Sequence, residues 1–571
     1  MTRVTSLVLR RMRAPLLVLI CAYAVAILGY VLIPGRDASG APWRMTFLDA
    51  FYFVSYMATT IGFGEIPHAF NGAQRLWTSA TIYLTVISWF YAIGAVFTLL
   101  QNPAFRRAVA EGAFARSVRR IVEPFYIVCG YGDTGSLLVE ALVGRQMRAV
   151  VIDKDPERIN DLALENLSTY VPGLCADAGE ADHLLAAGLR HRRCRGVVAL
   201  TNDDAVNLKI AISCKLLRPR LTVICRAESR DTEENMASFG TDHIINPFES
   251  FADRLALALH SPSTHLIYEW LTGIPGKALA GFLEPRHGTW ILCGYGRFGK
   301  AVERHLAGEG VKTVIVEADP ASTRPPQGAV IGRGTEAVTL REAGVESAVG
   351  IVAGTDDDTN NLSIIVTARD LNPNLYTVAR QNRRSNEALF AAAGVDQIME
   401  RSDIIAHQIL ALITAPLLSE FLRRVRGRDH AWVCQLVSRL VAVLGESVPD
   451  IWVVQLDARR APAPSAVLAA GLPVRLGDLY RDPRERARHL DCLPLMLRRR
   501  GEPEPRLLPD EDLALAPGDR VLFCGREGQR QRMAATLNND NLLRYLQTGV
   551  DRPDGWLWRR LSRAPADGRP V

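Results

Sequence analysis

Seven residues between two long apolar segments, T-T-I-G-F-G-E, could bind a dehydrated cation through backbone oxygens. Gly62 and Gly64 can adopt the positive φ angles that direct carbonyl groups to one side, and Thr60 adds a hydroxyl at the inner end. A ring of four such loops would replace the water shell of a potassium ion with carbonyl oxygens. The alternative is a turn without function. The predicted filter residues are Thr59, Thr60, Ile61, Gly62, Phe63, Gly64 and Glu65, with potassium at the carbonyls of Thr60, Ile61, Gly62 and Phe63.

Two glycine-rich turns, G-Y-G-D-T-G and G-Y-G-R-F-G, could bind the pyrophosphate of a nucleotide. Each follows an apolar strand-like run and opens a helix, and its last glycine precedes an acidic strand end, Asp153 or Glu317, by 18 positions. The helix N-terminus would attract phosphate, and the carboxylate could accept hydrogen bonds from a ribose. The predicted binding residues are Gly130, Tyr131, Gly132, Asp133, Thr134, Gly135 and Asp153 in the first turn, and Gly294, Tyr295, Gly296, Arg297, Phe298, Gly299 and Glu317 in the second.

The two turns differ in charge at one position. Asp133 places a negative charge near a pyrophosphate and Arg297 a positive one, so we expect the second turn to be the better nucleotide site. Asp133 could instead recruit a divalent cation. Either turn could also be a retained scaffold that binds nothing.

Two acidic runs, Asp203-Asp204 and Asp356 to Asp358, follow predicted strand ends. Carboxylates in such positions can coordinate calcium or magnesium, or they can cap the helix that follows. The sequence leaves both functions open and predicts no defined divalent site.

The elements that must position the filter are membrane helices. Ala14 to Pro34 contains 21 residues without a charge and Leu76 to Leu100 contains 25, enough to cross a bilayer. Arginines precede the first segment and follow the second, which predicts that both termini are cytoplasmic in a multi-pass protein of the cell membrane. A cleaved signal peptide is the alternative for the first segment.

The residues beside the filter fit a pore. The apolar, aromatic stretch Thr46 to Thr59 is too short to span and predicts a half-helix whose C-terminal end points at the filter, where its dipole favours cations. Gly94, inside the second segment, lies where the two-helix potassium channels that this hairpin resembles often bend to open, which makes it a candidate gating hinge. A position for close helix packing is the alternative for this glycine.

The elements that position the glycine turns are repeated. The turn residues and acidic strand ends recur at an offset of 164 residues, and later landmarks such as Asn207 and Asn361, or Arg226 and Arg380, recur at an offset of 154. Alternating strands and helices in each copy predict two Rossmann-like domains, each a parallel sheet with helices on both faces.

The predicted fold class is therefore a membrane α-helical pore domain, two α/β domains and a small C-terminal α+β lobe. The predicted boundaries are 1–101 for the pore domain, 102–123 for a gating linker, 124–281 for the first α/β domain with crossing helices, 289–423 for the second, 430–530 for the lobe and 551–571 for a flexible tail. Within the lobe, short strands are predicted at Ile451 to Leu456, Val474 to Leu476, Pro494 to Arg498 and Arg520 to Cys524.

This order of motifs resembles prokaryotic two-transmembrane-helix potassium channels with tandem RCK (TrkA-N type) domains, in particular the multi-ligand-gated Geobacter channel type, and a TrkA-C-like lobe. The resemblance implies a homotetramer in which eight RCK domains form a gating ring that responds to nucleotides or divalent cations. Expected ligands are NAD(H), ADP or ATP, with Ca²⁺ or Mg²⁺ as further candidates. The family filter reads T-V-G-Y-G, so Ile61 replaces valine and Phe63 lacks the tyrosine hydroxyl that would tether the filter.

Composition excludes several other classes. The balance of 67 basic and 61 acidic residues gives no case for nucleic-acid binding, and ten cysteines without a C-x-x-C pair suggest neither a zinc site nor a disulfide framework. The expected function is a ligand-gated potassium channel that is not an enzyme. The alternatives are a membrane-anchored NAD-dependent oxidoreductase and a non-conducting, nucleotide-sensing subunit of a potassium transporter.

Overall fold

The computed structural model describes residues 3–273, 288–445 and 447–550. The predicted tail, 551–571, and the end of the first predicted α/β domain, 274–281, lie outside the described residues. The chain divides into two compact units, one formed mainly by the residues up to Ile121 and one by the residues from Val122 onward.

The first unit is a helical hairpin that encloses a short third helix. Its elements are α1 (Arg3–Leu32), β1 (Gly35–Arg36), β2 (Pro42–Trp43), α2 (Phe47–Ala58), α3 (Gly72–Gln101) and α4 (Pro103–Arg119). Two stretches, Arg11–Leu32 and Gly72–Gln101, are long and apolar enough to cross a membrane. Both predicted spans and the predicted half-helix are therefore present.

Close packing joins the two long helices. A Cβ on Gly29 would lie 2.1 Å from the Trp77 ring, so the missing side chain gives the indole its space. The Trp77 indole N–H donates to the Ala26 carbonyl oxygen at 3.1 Å. On α2, Phe53 packs edge to face on Tyr30 of α1, with ring centroids 5.0 Å apart.

The predicted linker, 102–123, is mostly the helix α4. Asn102 interrupts the helical path after α3, and its side chain accepts the backbone N–H groups of Ala104 and Phe105 at 3.0 and 3.3 Å. Pro103 occupies the first turn, where its missing N–H costs nothing. Asn102 is therefore the break between α3 and α4.

The second unit begins with a six-stranded parallel sheet and its helices. The strands are β3 (Phe125–Cys129), β4 (Arg148–Asp153), β5 (Gly173–Cys175), β6 (Cys194–Ala199), β7 (Thr222–Arg226) and β8 (His243–Ile245), and the helices are α5 (Asp133–Gly144), α6 (Pro156–Leu164), α7 (Ala181–Ala186), α8 (Asp204–Leu217) and α9 (Arg230–Ser238). The strands lie in the order β5-β4-β3-β6-β7-β8. The chain therefore adds strands on one side of β3 up to β5 and on its other side from β6 onward. This is the doubly wound order, in which ligands bind beyond the strand ends at the reversal.

The second copy repeats this topology after the helices α10 (Pro247–His260) and α11 (Pro262–Thr272). Its elements are β9 (Thr289–Cys293), α12 (Arg297–Gly308), β10 (Lys312–Glu317), α13 (Pro320–Thr323), β11 (Val330–Ile331), α14 (Ala337–Glu342), β12 (Gly350–Ala353), α15 (Asp358–Leu371), β13 (Tyr376–Gln381), a 3₁₀ turn at Arg384–Asn386, α16 (Glu387–Ala392) and β14 (Gln397–Glu400). The order β11-β10-β9-β12-β13-β14 matches the first sheet strand for strand. The predicted repeat of two Rossmann-like domains is confirmed.

Each copy contributes a helix to the core of the other. Phe248 and Phe251 of α10, which follows the first sheet, pack with Phe298 of the second copy. Ile405 and Ile409 of α17 (Arg401–Thr414), which follows the second sheet, pack in the first core. α10, which lies in the predicted crossing region, therefore packs on the second copy, and α17, which was not predicted to cross, packs on the first.

The C-terminal lobe is a four-stranded antiparallel sheet covered by helices. Its elements are α18 (Pro416–Arg426), α19 (His430–Leu444), β15 (Asp450–Gln455), α20 (Pro462–Ala469), α21 (Leu476–Leu479), β16 (Cys492–Arg498), β17 (Arg506–Leu507), β18 (Arg520–Gly525), α22 (Gln529–Asn538) and α23 (Asp540–Thr548). The strand order is β15-β18-β16-β17.

Two details of the predicted lobe and one predicted boundary of the second α/β domain differ from the structure. Val474 to Leu476 is not a strand, because Leu476 begins the short helix α21. The predicted end at 530 is too early, since Met533 of α22 and Leu543 of α23 lie in the lobe's core. The predicted end of the second α/β domain at 423 falls inside α18.

Candidate functional site

The predicted filter has an alternating backbone. The φ angles of Thr60, Gly62 and Gly64 are +60°, +64° and +75°, whereas Ile61 and Phe63 between them keep negative φ. An extended strand directs successive carbonyls to opposite sides, but alternation of left- and right-handed residues directs them to one side. Threonine rarely adopts positive φ, so Thr60 holds this conformation only because its surroundings impose it.

Two tyrosines of α2 fix the far end of the filter. The Tyr56 hydroxyl donates to the Glu65 carbonyl oxygen at 2.8 Å, and the Tyr52 hydroxyl donates to Glu65 Oε2 at 3.0 Å. The Tyr56 ring also packs edge to face on Phe63, with centroids 6.2 Å apart. Tyr52 and Tyr56 thus tether the filter at Glu65 through their hydroxyl groups.

The near end of the filter is held by the end of α2. The backbone N–H of Thr59 donates to the Ser55 carbonyl oxygen at 3.2 Å, and that of Ile61 donates to the Tyr56 carbonyl oxygen at 3.1 Å. The C-terminal end of the helix therefore lies at Thr59, where its partial negative charge favours cations. The filter is fixed at both ends by one helix.

The filter side chains are exposed in the single chain, with Ile61 and Phe63 at 60% and 66% accessibility. Gly94 lies inside α3, which continues unbroken through it, and a Cβ there would meet no atom within 4 Å. Within this chain, close packing therefore does not explain the glycine at position 94.

The two glycine turns share one backbone design. Tyr131 N–H donates to Asp153 Oδ2 and Tyr295 N–H donates to Glu317 Oε2, both at 2.5 Å. The last glycine of each turn lies under the first, since a Cβ on Gly299 would lie 2.0 Å from the Gly294 carbonyl oxygen, and Gly135 has the same relation to Gly130 at 2.1 Å. The carboxylates of Asp153 and Glu317 therefore hold their turns through one hydrogen bond each and keep lone pairs that can accept from another donor.

Side chains cover the first turn. Arg158 Nη1 lies 3.5 Å from Asp153 Oδ2, and the same atom would be 3.2 Å from a Cβ on Gly132. Tyr131 is buried, and its hydroxyl donates to Glu165 Oε2 at 2.6 Å. Burial, followed by the hydrogen bond to Glu165, raises the pKa of Tyr131.

The second turn is open at the equivalent point. A Cβ on Gly296 would meet no atom within 4 Å, and Ser322 stands where the repeat offset places the counterpart of Arg158. The residues at the equivalent turn positions Thr134, in the first copy, and Phe298, in the second, were predicted to bind, and both are buried. The side chains of these two residues therefore belong to the packing.

Arg297 does not extend free into the second turn. Its guanidinium Nη2 lies 3.0 Å from Glu228 Oε2, on the first copy. Glu228 offsets the positive charge that was the basis for predicting the second turn as the better nucleotide site. The openness around Gly296 supplies a different one.

Glu228 is the centre of a basic cluster between the two copies. Arg226 and Arg401 both ion-pair with its Oε1, Arg401 at 2.7 Å. Burial favours a protonated Glu228, but the charges of Arg226, Arg401 and Arg297 outweigh it and lower its pKa. The neighbouring Arg380 lies over the Phe248 ring, and burial together with Arg401 lowers its pKa to about 10. We define Arg226, Arg297, Arg380, Arg401 and Glu228 as the interface cluster.

The interface cluster was not predicted as a site. Arg226 and Arg380 were noted only as repeat landmarks, and Glu228 and Arg401 were not singled out. Arginines at equivalent strand ends in both copies were the available signal. The approach of Arg297 and Arg401 to Glu228 depends on the packing of the copies, which the sequence does not reveal.

One aspartate of each acidic run caps the helix that follows. Asp203 Oδ1 accepts the Ala205 N–H at 2.9 Å at the start of α8, and Asp357 Oδ1 accepts the Asn360 N–H at 2.9 Å at the start of α15. Asp358 accepts the backbone N–H groups of Asn382 and Arg383. Among the residues that the structure describes, no group of three or more His, Cys, Asp or Glu side chains is placed to hold a metal ion.

Comparison with known proteins agrees with this architecture. The TrkA-N domain model matches residues 126–247 and 290–400, and an ion channel model matches residues 16–102. Potassium channel protein 1 of Methanocaldococcus jannaschii is 26% identical over 203 residues, which is 35% of this chain and 59% of the relative. Probable potassium channel protein 2 of the same organism is 24% identical over 35% of this chain and 57% of the relative.

The matched stretches thus span less than two thirds of these relatives. A solved structure, the GsuK channel bound to NAD, aligns over 93% of this chain and 100% of its own with 16% identity and a TM-score of 0.47. The described elements and the two matching models have the same order along the chain: two membrane-length helices around a filter loop, then two doubly wound domains. The chain therefore belongs to the two-transmembrane-helix channel proteins that carry tandem TrkA-N, or RCK, domains.

Proposed function

We propose that this chain forms a potassium-selective pore as a homotetramer in the cell membrane, with both termini in the cytoplasm. The observation that carries the proposal is the alternating backbone from Thr60 to Gly64 between two membrane-length helices. Four copies would close the exposed filter segments into a ring and present carbonyl oxygens to the ion. Potassium is the conducted substrate, and its ligands are the carbonyls of Thr60, Ile61, Gly62 and Phe63.

Selectivity in this proposal depends on how firmly the filter is held. Phe63 lacks a hydroxyl, and the Tyr52 and Tyr56 hydroxyls bond Glu65 instead. A hydrogen bond to a charged acceptor contributes about 1.5–3 kcal/mol. We therefore expect selection for potassium over sodium despite the family tyrosine being absent.

Eight RCK domains from four chains would form the gating ring, and α4 would transmit its movement to α3. Gly94 is the proposed hinge of the inner gate. Shifting a gate from 1:99 to 99:1 requires about 5.5 kcal/mol of differential binding, or roughly 1.4 kcal/mol at each of four sites. A tenfold affinity difference per site supplies this amount.

We infer that the gating ligand is an adenine nucleotide, NAD(H), ADP or ATP, at the second turn. Its pyrophosphate would lie at the N-terminus of α12 beside Gly296, and Glu317 would accept a ribose hydroxyl. Calcium or magnesium is a further candidate ligand, with no residues assigned to it.

The phosphate would compete with Glu228 for Arg297. Glu228 belongs to the first copy and Arg297 to the second, so the exchange would change the contact between copies when ligand binds. Four arginines around one glutamate leave the interface cluster with a surplus of positive charge, which suits a phosphate group. Ligand binding would in this way alter the gating ring.

Ion flux into liposomes that contain only this protein tests the pore. We expect potassium uptake that exceeds sodium uptake and that Gly62→Ala abolishes, because an alanine resists the +64° φ angle. Gly40→Ala is the matched control, since Gly40 also has positive φ, +87°, in open space outside the filter. Absence of flux under every nucleotide tested would favour a non-conducting subunit.

The alternative function, a membrane-anchored NAD-dependent oxidoreductase, requires a separate test. The relatives reported above are named as channels, and we propose that this chain has no enzymatic activity. Sustained oxidation of NADH by the purified protein with a defined substrate would contradict this part of the proposal.

A further inference from the structure

A cavity of about 420 Å³ lies on the sheet of the C-terminal lobe. Arginines line it at three successive positions, Arg498, Arg499 and Arg500, and Arg520 lines it from the neighbouring strand. The remaining side chains are those of Gln455 and Glu502. None of the glycine-turn residues contributes to this cavity.

Strand register places two of these arginines directly opposite each other. Arg498 of β16 pairs with Arg520 of β18, which in turn pairs with Gln455 of β15. Residues in register on adjacent strands project from the same face with Cβ atoms about 4.5–5.5 Å apart, and like charges in such pairs are destabilising. The sheet therefore brings two positive charges together at the cavity wall.

The protein neutralises only part of this charge. Arg498 ion-pairs with Glu420 at 2.8 Å, and Arg499 lies 3.4 Å from Asp519. Arg500 and Arg520 form no ion pair with any residue that the structure describes. Two guanidinium groups at the cavity thus keep their donors for another partner.

A second cavity of about 460 Å³ adjoins the first and shares Gln455 and Arg520 with it. Its wall includes the apolar side chains of Leu417, Val454 and Leu537. Arg460 and Arg530 also line the second cavity, so the arginine wall of the first continues into a cavity that adds apolar side chains. This combination suits a small molecule that has both phosphate and an apolar or planar part.

We propose that the C-terminal lobe binds a soluble phosphate-bearing anion at this cavity, with Arg500 and Arg520 as its ligands. The guanidinium fork matches the oxygens of phosphate, and the bound anion relieves the repulsion between Arg498 and Arg520. The site is separate from the glycine turns, so the lobe would sense a second ligand.

Thermal unfolding of the full-length protein in detergent tests this site with pyrophosphate as the probe, at low salt and without nucleotide. We expect pyrophosphate to raise the melting temperature of the wild type. Arg520→Gln should weaken pyrophosphate binding by about tenfold or more, because a charge-assisted hydrogen bond is lost. Without the anion, the same variant should melt no lower than the wild type, since a like-charge pair is removed.

Arg459→Gln is the matched control, because Arg459 is an exposed arginine of the same lobe that does not line either cavity. Equal stabilisation of the Arg520→Gln variant and the wild type by pyrophosphate would overturn the proposal. So would binding of short-chain phosphatidylglycerol without binding of pyrophosphate, which would identify a lipid surface. The pyrophosphate titration is repeated with Gly296→Asp, because Gly296 lines neither cavity. Stabilisation that persists in Gly296→Asp and is lost in Arg520→Gln assigns the anion to the lobe and not to the glycine turn.

Discussion

The two glycine turns have the same backbone and different surroundings. In the first copy, Arg158 lies across Gly132 and beside Asp153. In the second copy, the space at Gly296 is open, and the arginine of the turn is held by Glu228 of the first copy. The repeat therefore preserves the hydrogen bonds that shape the glycine turn, while the side chains around the turn differ.

This difference suggests separate tasks for the two copies. Arg158 already forms an ion pair with Asp153 of the first turn. The second turn instead has room for a ligand, whose phosphate would compete with Glu228 for Arg297. We infer that the second copy senses the nucleotide and the first copy supplies the competing carboxylate. Four changes would break or sharpen this comparison.

The largest expected effect comes from a carboxylate at the open turn. Gly296→Asp should lower nucleotide affinity by about 100-fold, or 2.7 kcal/mol, because it places a negative charge at the helix N-terminus where phosphate would bind. The fold should tolerate it, since no atom lies within 4 Å of the new Cβ and aspartate is a favourable N-cap residue. Isothermal titration calorimetry with each nucleotide measures this effect.

Gly132→Asp is the matched change in the first turn. Arg158 lies 3.2 Å from the new Cβ and would pair with the added carboxylate, so we expect little change in nucleotide affinity. A loss in Gly132→Asp that equals the loss in Gly296→Asp would reverse the assignment of the two copies.

Glu228→Gln tests the competition for Arg297. Nucleotide affinity should rise by about tenfold, since the phosphate no longer displaces a carboxylate. Stability should fall by about 3 kcal/mol at neutral pH, because arginines of the interface cluster lose a buried partner. Glu234→Gln is the control, as Glu234 forms only an exposed ion pair with Arg230.

The pH dependence of Glu228→Gln has a defined sign. The pKa of Glu228 is lowered in the folded protein, so its contribution to stability is present above the unfolded value of about 4.3. That contribution is lost as pH falls through the lower folded pKa. Melting temperatures of wild type and variant should therefore differ at pH 7 and converge in acid, and a constant difference would contradict the ion-pair explanation.

Arg158→Ser places in the first copy the residue that the second copy has at the equivalent position, Ser322. The ion pair of Arg158 is partly exposed, so its loss should cost less than about 1 kcal/mol. The opened turn should bind a second nucleotide weakly, which calorimetry detects as a rise in stoichiometry. A fall in binding would instead identify Arg158 as a phosphate ligand.

A further effect, on stability rather than on nucleotide binding, is expected at Glu400, whose counterpart in the first copy is Asn246. Burial and the nearby Asp403 raise the pKa of Glu400 to about 7, so its ionisation destabilises the protein as pH rises from about 4.3 toward 7. Asn246 instead accepts the Phe248 N–H at 3.1 Å at the start of α10. Glu400→Asn should remove this pH dependence and stabilise α17 by about 1 kcal/mol. Melting curves between pH 5 and 8 provide the measurement.

Local patterns predicted most of the fold. The filter, the two spans and both Rossmann-like domains follow from charge-free length, glycine spacing and a repeat that keeps its acidic strand ends. The lobe was predicted less well, because Val474 to Leu476 is apolar enough for a strand while its backbone joins α21. Short apolar runs do not distinguish these outcomes.

The glycine spacing predicted the shape of the two turns but not the side-chain contacts around them. The contacts of Arg297 with Glu228 join residues 69 positions apart on different copies, and no local pattern reports such a meeting. The tyrosine tethers of the filter were not predicted either, although the sequence carries a signal for them. Tyr52 and Tyr56 are one helical turn apart on α2, on the same face, and precede Glu65 by 13 and 9 residues.

Planar-bilayer recording of potassium current during titration with NAD, NADH, ADP and ATP tests the central claim most directly. We predict a potassium current whose open probability changes with at least one nucleotide in the wild type and in Gly132→Asp, and does not change in Gly296→Asp. A nucleotide response that survives Gly296→Asp unaltered, or a protein that conducts no potassium under any of these ligands, would contradict the account.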